Sequence, residues 1–331
     1  MQPIVLGPNM PEMFYRGAGR IDRLRGTSGH EERPEDWIAS VTSRFGSDTE
    51  GMTRLPDGSL LAEAVAAEPQ AWLGPDHVAR YGSDTGLLVK LLDAGQRLPV
   101  HVHPDRRFAA EHLASPHGKT EAWIVLEAEP GAAVYVGFNR DVGADELTGW
   151  ARSQDITSML AATNRVPVAA GDSVLCPAGT PHAISAGILV IELQEPADLS
   201  IMLEWSTFSL DEREATLGLP LEEALACVDR RALRPERLEQ LRGRPLSSAI
   251  GSLLPAEADP FFVAERVDTR VNEHLSQSYG VLVVTDGAGQ LTTQSGASVP
   301  IGRGSTVLIP YAAGAAVLAG TIEGVRCLPS S

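Results

Sequence analysis

Residues 171–182 read GDSVLCPAGTPH, and residues 95–103 read GQRLPVHVH. The two stretches share a rhythm: a Gly is followed, after five residues, by Pro177 in one and by His101 in the other. His101 and His103 stand two positions apart, and residues i and i+2 of a strand face the same way, so their imidazoles can converge on one point. Pro177 and Gly179 fix a turn just before His182. Three imidazoles gathered from two such stretches suit a borderline divalent cation, most simply zinc, at one ion per chain. The other five histidines, His30, His77, His112, His117 and His274, have no partner at such a spacing and read as solvated or hydrogen-bonded residues.

Working outward, residues 87–92, LLVKLL, form a buried strand that carries Lys90. An unpaired buried ammonium is costly, so the plain reading is that its stem packs while its head reaches the edge of the sheet. A helix is expected over 105–114. Beyond it, GKTEAWIVLEA reads as an alternating strand on which Lys119 and Glu121 share a face, and Glu121 is the candidate fourth metal ligand. Further strands are expected at 132–138 and 166–169, with a polar segment between them that holds a helix at 156–162. Residues 35–41, EDWIASV, read as a strand or turn with Trp37 buried, and 60–67 as a helix ended by Pro69. Many short strands with Gly and Pro between them, supplying ligands from several places, point to a mainly β, double-sheet jelly roll.

From 211 to about 244 the pattern becomes helical, with Pro220 and Pro235 at helix starts. Short strands return over 261–328, where GRGSTVLIPYAAGAAVL repeats the rhythm of the metal stretch, Gly304 and Pro310 echoing Gly171 and Pro177 without the histidine. The expected organisation is a metal-binding domain over 1–210 that contains the active site, a helical insert over 211–255, and a C-terminal copy of the small barrel over 256–331 without a metal site.

Composition narrows the partners. A formal charge of −16 over 331 residues argues against nucleic acid or an anionic membrane surface. Three widely spaced cysteines, Cys176, Cys227 and Cys327, fit a reducing compartment. The first residues lack a signal-peptide pattern and no apolar run is long enough to span a bilayer, so a cytoplasmic location is expected. The oligomeric state is not legible.

GQRLPVHVHPD, GKTEAWIVL and GDSVLCPAGTPHAI together resemble the metal-binding motifs of the type I mannose-6-phosphate isomerases, in the short bacterial branch of that cupin family. EDWIASV and LLVKLLDAGQ extend the resemblance over most of the chain. It implies two cupin barrels, a metal held by His101, His103, Glu121 and His182, and proton transfer between C1 and C2 of an open-chain sugar through an enediol. Glu192, in ILVIELQE, is implied as the base, Lys119 as a second catalytic group and Lys90 as the lysine on the phosphate side of the substrate. Pro99 replaces a serine of the family, and residues 197–205 contain no basic residue where the family has an arginine. Three functions follow from this pattern: an isomerase of mannose 6-phosphate, an isomerase of an unphosphorylated or differently substituted sugar, and a sugar-binding cupin without turnover.

Overall fold

The computed structural model describes residues 1–244 and 251–330; positions 245–250 of the expected insert lie outside the described residues. The fold is mainly β, and among the described residues every pair of neighbouring strands is antiparallel. Three sheets carry it. The first has the order Glu35–Ile38, Leu88–Ala94, Ile188–Gln194, Glu121–Ala128, Ser173–Cys176. The second has the order Ile201–Met202, His101–Val102, His182–Ile184, Ala133–Phe138, Thr163–Pro167. In the third, Ile4–Leu6 from the chain start joins Thr306–Ile309, Gly280–Thr293, Ala316–Pro329 and Phe262–Asp268, with His274–Leu275 and Ser298–Gly302 alongside.

Strand periodicity decides what each face of the first sheet meets. Leu189, Ile191 and Leu193 point one way, with Val89, Leu91, Ala122, Ile124 and Leu175, into an apolar layer shared with Val281, Val283, Leu308 and Val325 of the third sheet. The alternate residues point the other way. Ile188, Val190, Leu92, Trp123, Val125 and Val174 pack with Val134, Val136 and Ile184 of the second sheet. Glu192, Lys90, Glu121 and Cys176 therefore share an inner face, looking across to His101 and His182. The space between these two sheets holds the site.

Short helices cover the outer face of the second sheet. Leu147 and Ala151 of Ala144–Ser153, Met159 of Ile156–Ala162, and Ala215, Leu221, Ala224 and Leu225 from the 211–227 segment pack on Val100, Val102 and Phe138. The helical expectation after 211 resolves into short pieces, Glu212–Ala215, Leu221–Ala224 and Pro235–Gln240, the last two starting at Pro220 and Pro235. The helix Ala144–Ser153 was not expected: Gly149 at its centre lowers propensity, and burial of Leu147 and Ala151, four residues apart, outweighs that cost.

Other differences have equally local causes. Two pairs of expected short C-terminal strands are fused into the 14-residue strands Gly280–Thr293 and Ala316–Pro329. Gly287, at φ +82°, marks a kink beside a bulge rather than a break; a Cβ there would stand 1.9 Å from the Thr321 carbonyl oxygen. Lys90 does not reach a sheet edge. It is 1% exposed and held inside by two carboxylates described below. Among the described residues, no helix is long and apolar enough to cross a membrane.

Candidate metal centre and active site

Two cross-strand pairs build the centre. His101 lies opposite His182 in the second sheet, and Glu121 lies opposite Cys176 in the first, so each pair projects from one face of its own sheet. His103 follows one strand position after Val102 and completes the group. The ring centroids of His101, His103 and His182 are 4.0 to 4.9 Å apart.

Each imidazole is oriented by a backbone carbonyl. Nδ1 donates to Pro99 O at 2.8 Å from His101, to Leu199 O at 2.9 Å from His103, and to Thr180 O at 2.9 Å from His182. A neutral ring with its proton on Nδ1 carries its lone pair on Nε2, so three lone pairs point into one place. Pro99 has no N–H to give a ligand, yet its carbonyl sets the tautomer of His101. Burial, then the neighbouring rings of His182 and His103, keep His101 neutral well below the usual imidazole range. Burial and then Lys119 push His103 down to about 3.

The carboxylate of Glu121 sits among these atoms, Oε2 at 3.0 Å from His103 Nε2 and Oε1 at 3.1 Å from His182 Nε2. Lone pairs facing lone pairs at such distances repel unless a cation lies among them. Glu121 Oε2 and His182 Nε2 are buried without a hydrogen-bond partner, a cost that native interiors avoid and that a metal would remove. Burial alone would raise the Glu121 carboxyl, but Lys119, His103 and His182 outweigh it and hold it ionised well below the usual range. Lys119 Nζ stands 3.1 Å from Glu121 Oε2 and 2.9 Å from His103 Nε2. The donor set of three imidazoles and a carboxylate fits a divalent ion of intermediate softness.

Most supports for this group come from residues that the sequence did not single out. Glu195 accepts the Thr120 N–H at 2.8 Å and Arg106 Nε at 2.5 Å, fixing the turn before Glu121. Arg97 grips Glu204 with two 2.6 Å bonds, and Glu204 accepts the Val100 N–H at 3.0 Å just ahead of His101. The Gly179 N–H donates to His103 O at 2.7 Å, tying the PAGTPH turn to the other histidine stretch.

A cavity of about 630 Å³ opens onto this group. His101, Glu121, His182, Lys119, Lys90 and Glu192 line it, while His103 lies behind them. Glu192 occupies the central strand, directly between Lys90 and Trp123 in register. Burial, then the charge of Glu121, push its carboxyl up to about 7, and its Oε1 has no hydrogen-bond partner. Lys90 Nζ lies 3.2 Å from Glu35 and 3.6 Å from Glu192, over the ring of Trp37. Glu35 also accepts from Trp37 Nε1 and from the Tyr15 hydroxyl, and Tyr15 lines the cavity.

The rest of the lining mixes apolar side chains, among them Phe14, Leu98, Met202, Leu210 and Leu217, with the carboxylates Asp198, Asp211 and Glu214 and two guanidinium groups, Arg44 and Arg213. Arg44 is paired with Glu50 at 3.0 Å. Neither cation was legible from sequence, because only folding brings 44 and 213 to one cavity. Arg106 and Arg140, the obvious basic residues near the motifs, point elsewhere: Arg106 pairs with Glu195 against Phe261, and Arg140 pairs with Glu146.

Comparison with known proteins agrees with this architecture. No family model matches the chain. It is 30% identical over 200 residues to the "Probable mannose-6-phosphate isomerase GmuF" of Bacillus subtilis, 59% of each chain, and 28% identical over 243 residues to the mannose-6-phosphate isomerase ManA of the same organism, covering 72% of this chain and 73% of ManA. The aligned region thus spans about three fifths of the first of these relatives. Among solved structures, the mannose 6-phosphate isomerase from Bacillus subtilis superposes with a TM-score of 0.74 over 99% of both chains at 22% identity, and the E264A mutant of the Salmonella typhimurium phosphomannose isomerase with 0.77 over 100% of both at 16%. These likenesses give the fold, which the chain shares with the solved isomerase structures, and a partial sequence similarity to the curated isomerases.

Proposed function

We propose that this protein is a metal-dependent aldose–ketose isomerase that interconverts mannose 6-phosphate and fructose 6-phosphate. One observation carries the reading: three Nε2 lone pairs and the Glu121 carboxylate converge, with His182 Nε2 and Glu121 Oε2 lacking any hydrogen-bond partner, at a cavity that also holds a carboxylate of raised pKa. His101, His103, Glu121 and His182 would hold one divalent ion, zinc being the simplest fit. Such an ion supplies positive charge against the oxygens of a developing enediolate.

The remaining work falls to side chains. Glu192 takes the proton from C2 on Oε1, which makes no hydrogen bond, and returns it to C1 from the same face; a carboxyl near 7 is matched to both steps. Lys119, held beside Glu121, serves proton movement at the sugar oxygens. Lys90 steadies the ionised form of Glu192 and contributes charge on the substrate side. The apolar lining limits water around the intermediate. In this reading the first two sheets are one cupin barrel over 1–210, the third sheet is a second barrel over 256–331 that borrows Ile4–Leu6, and 211–255 is an insert. The cytoplasm suits three free thiols.

A second reading keeps the chemistry and changes the substrate to an unphosphorylated hexose. The observation favouring it is that Lys90 is already shared by Glu35 and Glu192, Arg44 is paired with Glu50, and Pro99 offers no donor.

Glu192→Gln tests the mechanism common to both. The expected result is loss of C2 proton exchange by at least about a thousandfold, within the range for removing a general base, with metal content unchanged. Retained exchange would remove Glu192 from the chemistry and with it the isomerase geometry described here.

A further inference from the structure

A fifth donor faces the centre. Cys176 closes the strand Ser173–Cys176 and is the cross-strand partner of Glu121, so sulfur and carboxylate leave the sheet on one face. Its Sγ, a carboxylate oxygen of Glu121 and a ring nitrogen of His182 all lie within 4.8 Å of one another. Donors bound tetrahedrally to one ion at about 2.0–2.3 Å stand roughly 3.3–3.6 Å apart, so shifts of about an ångström or less would bring this triad onto a single ion. The same His182 belongs to the group with His101 and His103, whose donor atoms meet the same limit.

Two of the neighbours point independently to a ligand. Glu121 Oε2 and His182 Nε2, on residues 2% and 1% exposed, make no hydrogen bond. Cys176 is itself buried and does not line the cavity, so its sulfur approaches from the protein interior and leaves the substrate side open. Neither Cys227 nor Cys327 joins any metal-competent group among the described residues.

We propose that Cys176 is a sulfur donor to the metal, an inference that rests on the reading of His101, His103, Glu121 and His182 as the ligands of one divalent ion. As the sulfur–metal bond forms, the S–H bond breaks and its proton passes to solvent; no oxidant or reductant is required. A thiolate makes the centre softer than three imidazoles and a carboxylate would, and favours thiophilic cadmium over hard manganese.

Cobalt(II) added to the full-length protein tests this. Visible d–d bands report binding by any donors, and a near-ultraviolet sulfur-to-cobalt charge-transfer band reports the thiolate alone. The expected result is both signals in the wild type. Cys176→Ser and Cys176→Val each lose the charge-transfer band and keep the visible bands at the same cobalt stoichiometry, and cadmium affinity falls roughly tenfold or more while manganese affinity holds. Cys227→Ser serves as the unchanged control. Visible bands without the charge-transfer band in the wild type, or a band that persists in Cys176→Val, would overturn the sulfur ligand and leave the centre standing. No cobalt signal of either kind would overturn the centre and the sulfur ligand together.

Discussion

At His103, the bond from Nδ1 to Leu199 O leaves Nε2 facing Glu121 and Lys119. Truncating this ring removes one of the four proposed ligands. His103→Ala is expected to lower metal stoichiometry from one per chain towards zero after dialysis, measured by elemental analysis, and an unchanged stoichiometry would contradict the ligand assignment. The same buried rings give the metal-free protein a pH signature. With its folded pKa near 3 and an ordinary value near 6.5, His103 binds a proton in the unfolded chain that it refuses in the folded one between those limits. His101 shifts in the same direction, and Glu121, held low, adds to the loss at more acid pH. Glu192, raised to about 7, works the other way, being more readily protonated when folded. Each group contributes roughly 1.4 kcal/mol per pH unit inside its window, so the two histidines outweigh the one carboxyl. Chelator-treated protein should therefore melt at lower temperature at pH 4 than at pH 7, with a shallower slope in His103→Gln; a flat or rising Tm on acidification would contradict this. The histidine spacing was legible because i, i+2 geometry is a local property. The partners that set each tautomer are carbonyls brought in by folding, and no side-chain pattern announces them.

At the scale of elements, the precision of the centre depends on how closely two turns pass. Gly118 sits between the helix Arg106–His112 and the strand Glu121–Ala128, and the adjacent Lys119 N–H donates to Pro104 O at 3.0 Å. A Cβ on Gly118 would meet Arg106 N at 2.6 Å, the Asp105 carbonyl carbon at 2.6 Å and Pro104 O at 2.7 Å, all backbone atoms that cannot swing aside. Gly118→Ala must therefore push the segment carrying Lys119 and Glu121 away from the segment carrying His103. The expected cost is about 1–3 kcal/mol of stability, read as a drop in Tm, with a metal affinity at least about tenfold weaker by titration. Wild-type affinity with unchanged Tm would show that the close passage does not set the geometry. The helix 105–114 was readable to within a residue or two, as was the strand carrying Glu121, because Asp105 caps its helix through the Phe108 N–H and the strand alternates. The fused C-terminal strands were not, because a glycine reads as a break in sequence and only pairing shows that Gly287 bends a continuous strand.

For the whole molecule, the apolar layer between the first and third sheets joins chain segments from Leu6 to Cys327, and it holds the outer face of the strand whose inner face carries Glu192. The placement of Glu192 thus draws on burial contributed by the C-terminal sheet, each fully buried Leu or Ile adding about 1.5–3 kcal/mol. The motifs pointed to the mainly β fold and to the residues that the structure brings together, His101, His103, Glu121 and His182, while the rest of the cavity was illegible. Arg44 and Arg213 reach it only through long-range folding, and the stretch 197–205, which contains no basic residue, gives no hint of what faces it. The question left at this scale is whether the assembled cavity turns over a sugar phosphate. It is tested most directly by proton NMR of the zinc-loaded protein with mannose 6-phosphate in deuterated water, with free mannose in a parallel sample. Fructose 6-phosphate, with deuterium entering at the exchanging carbon, is expected in the first sample and at least about a hundredfold slower exchange in the second, the loss expected when charge contacts to a substrate are removed. Faster exchange with mannose would transfer the reaction to the unphosphorylated sugar, and no exchange with either sugar would contradict the isomerase assignment.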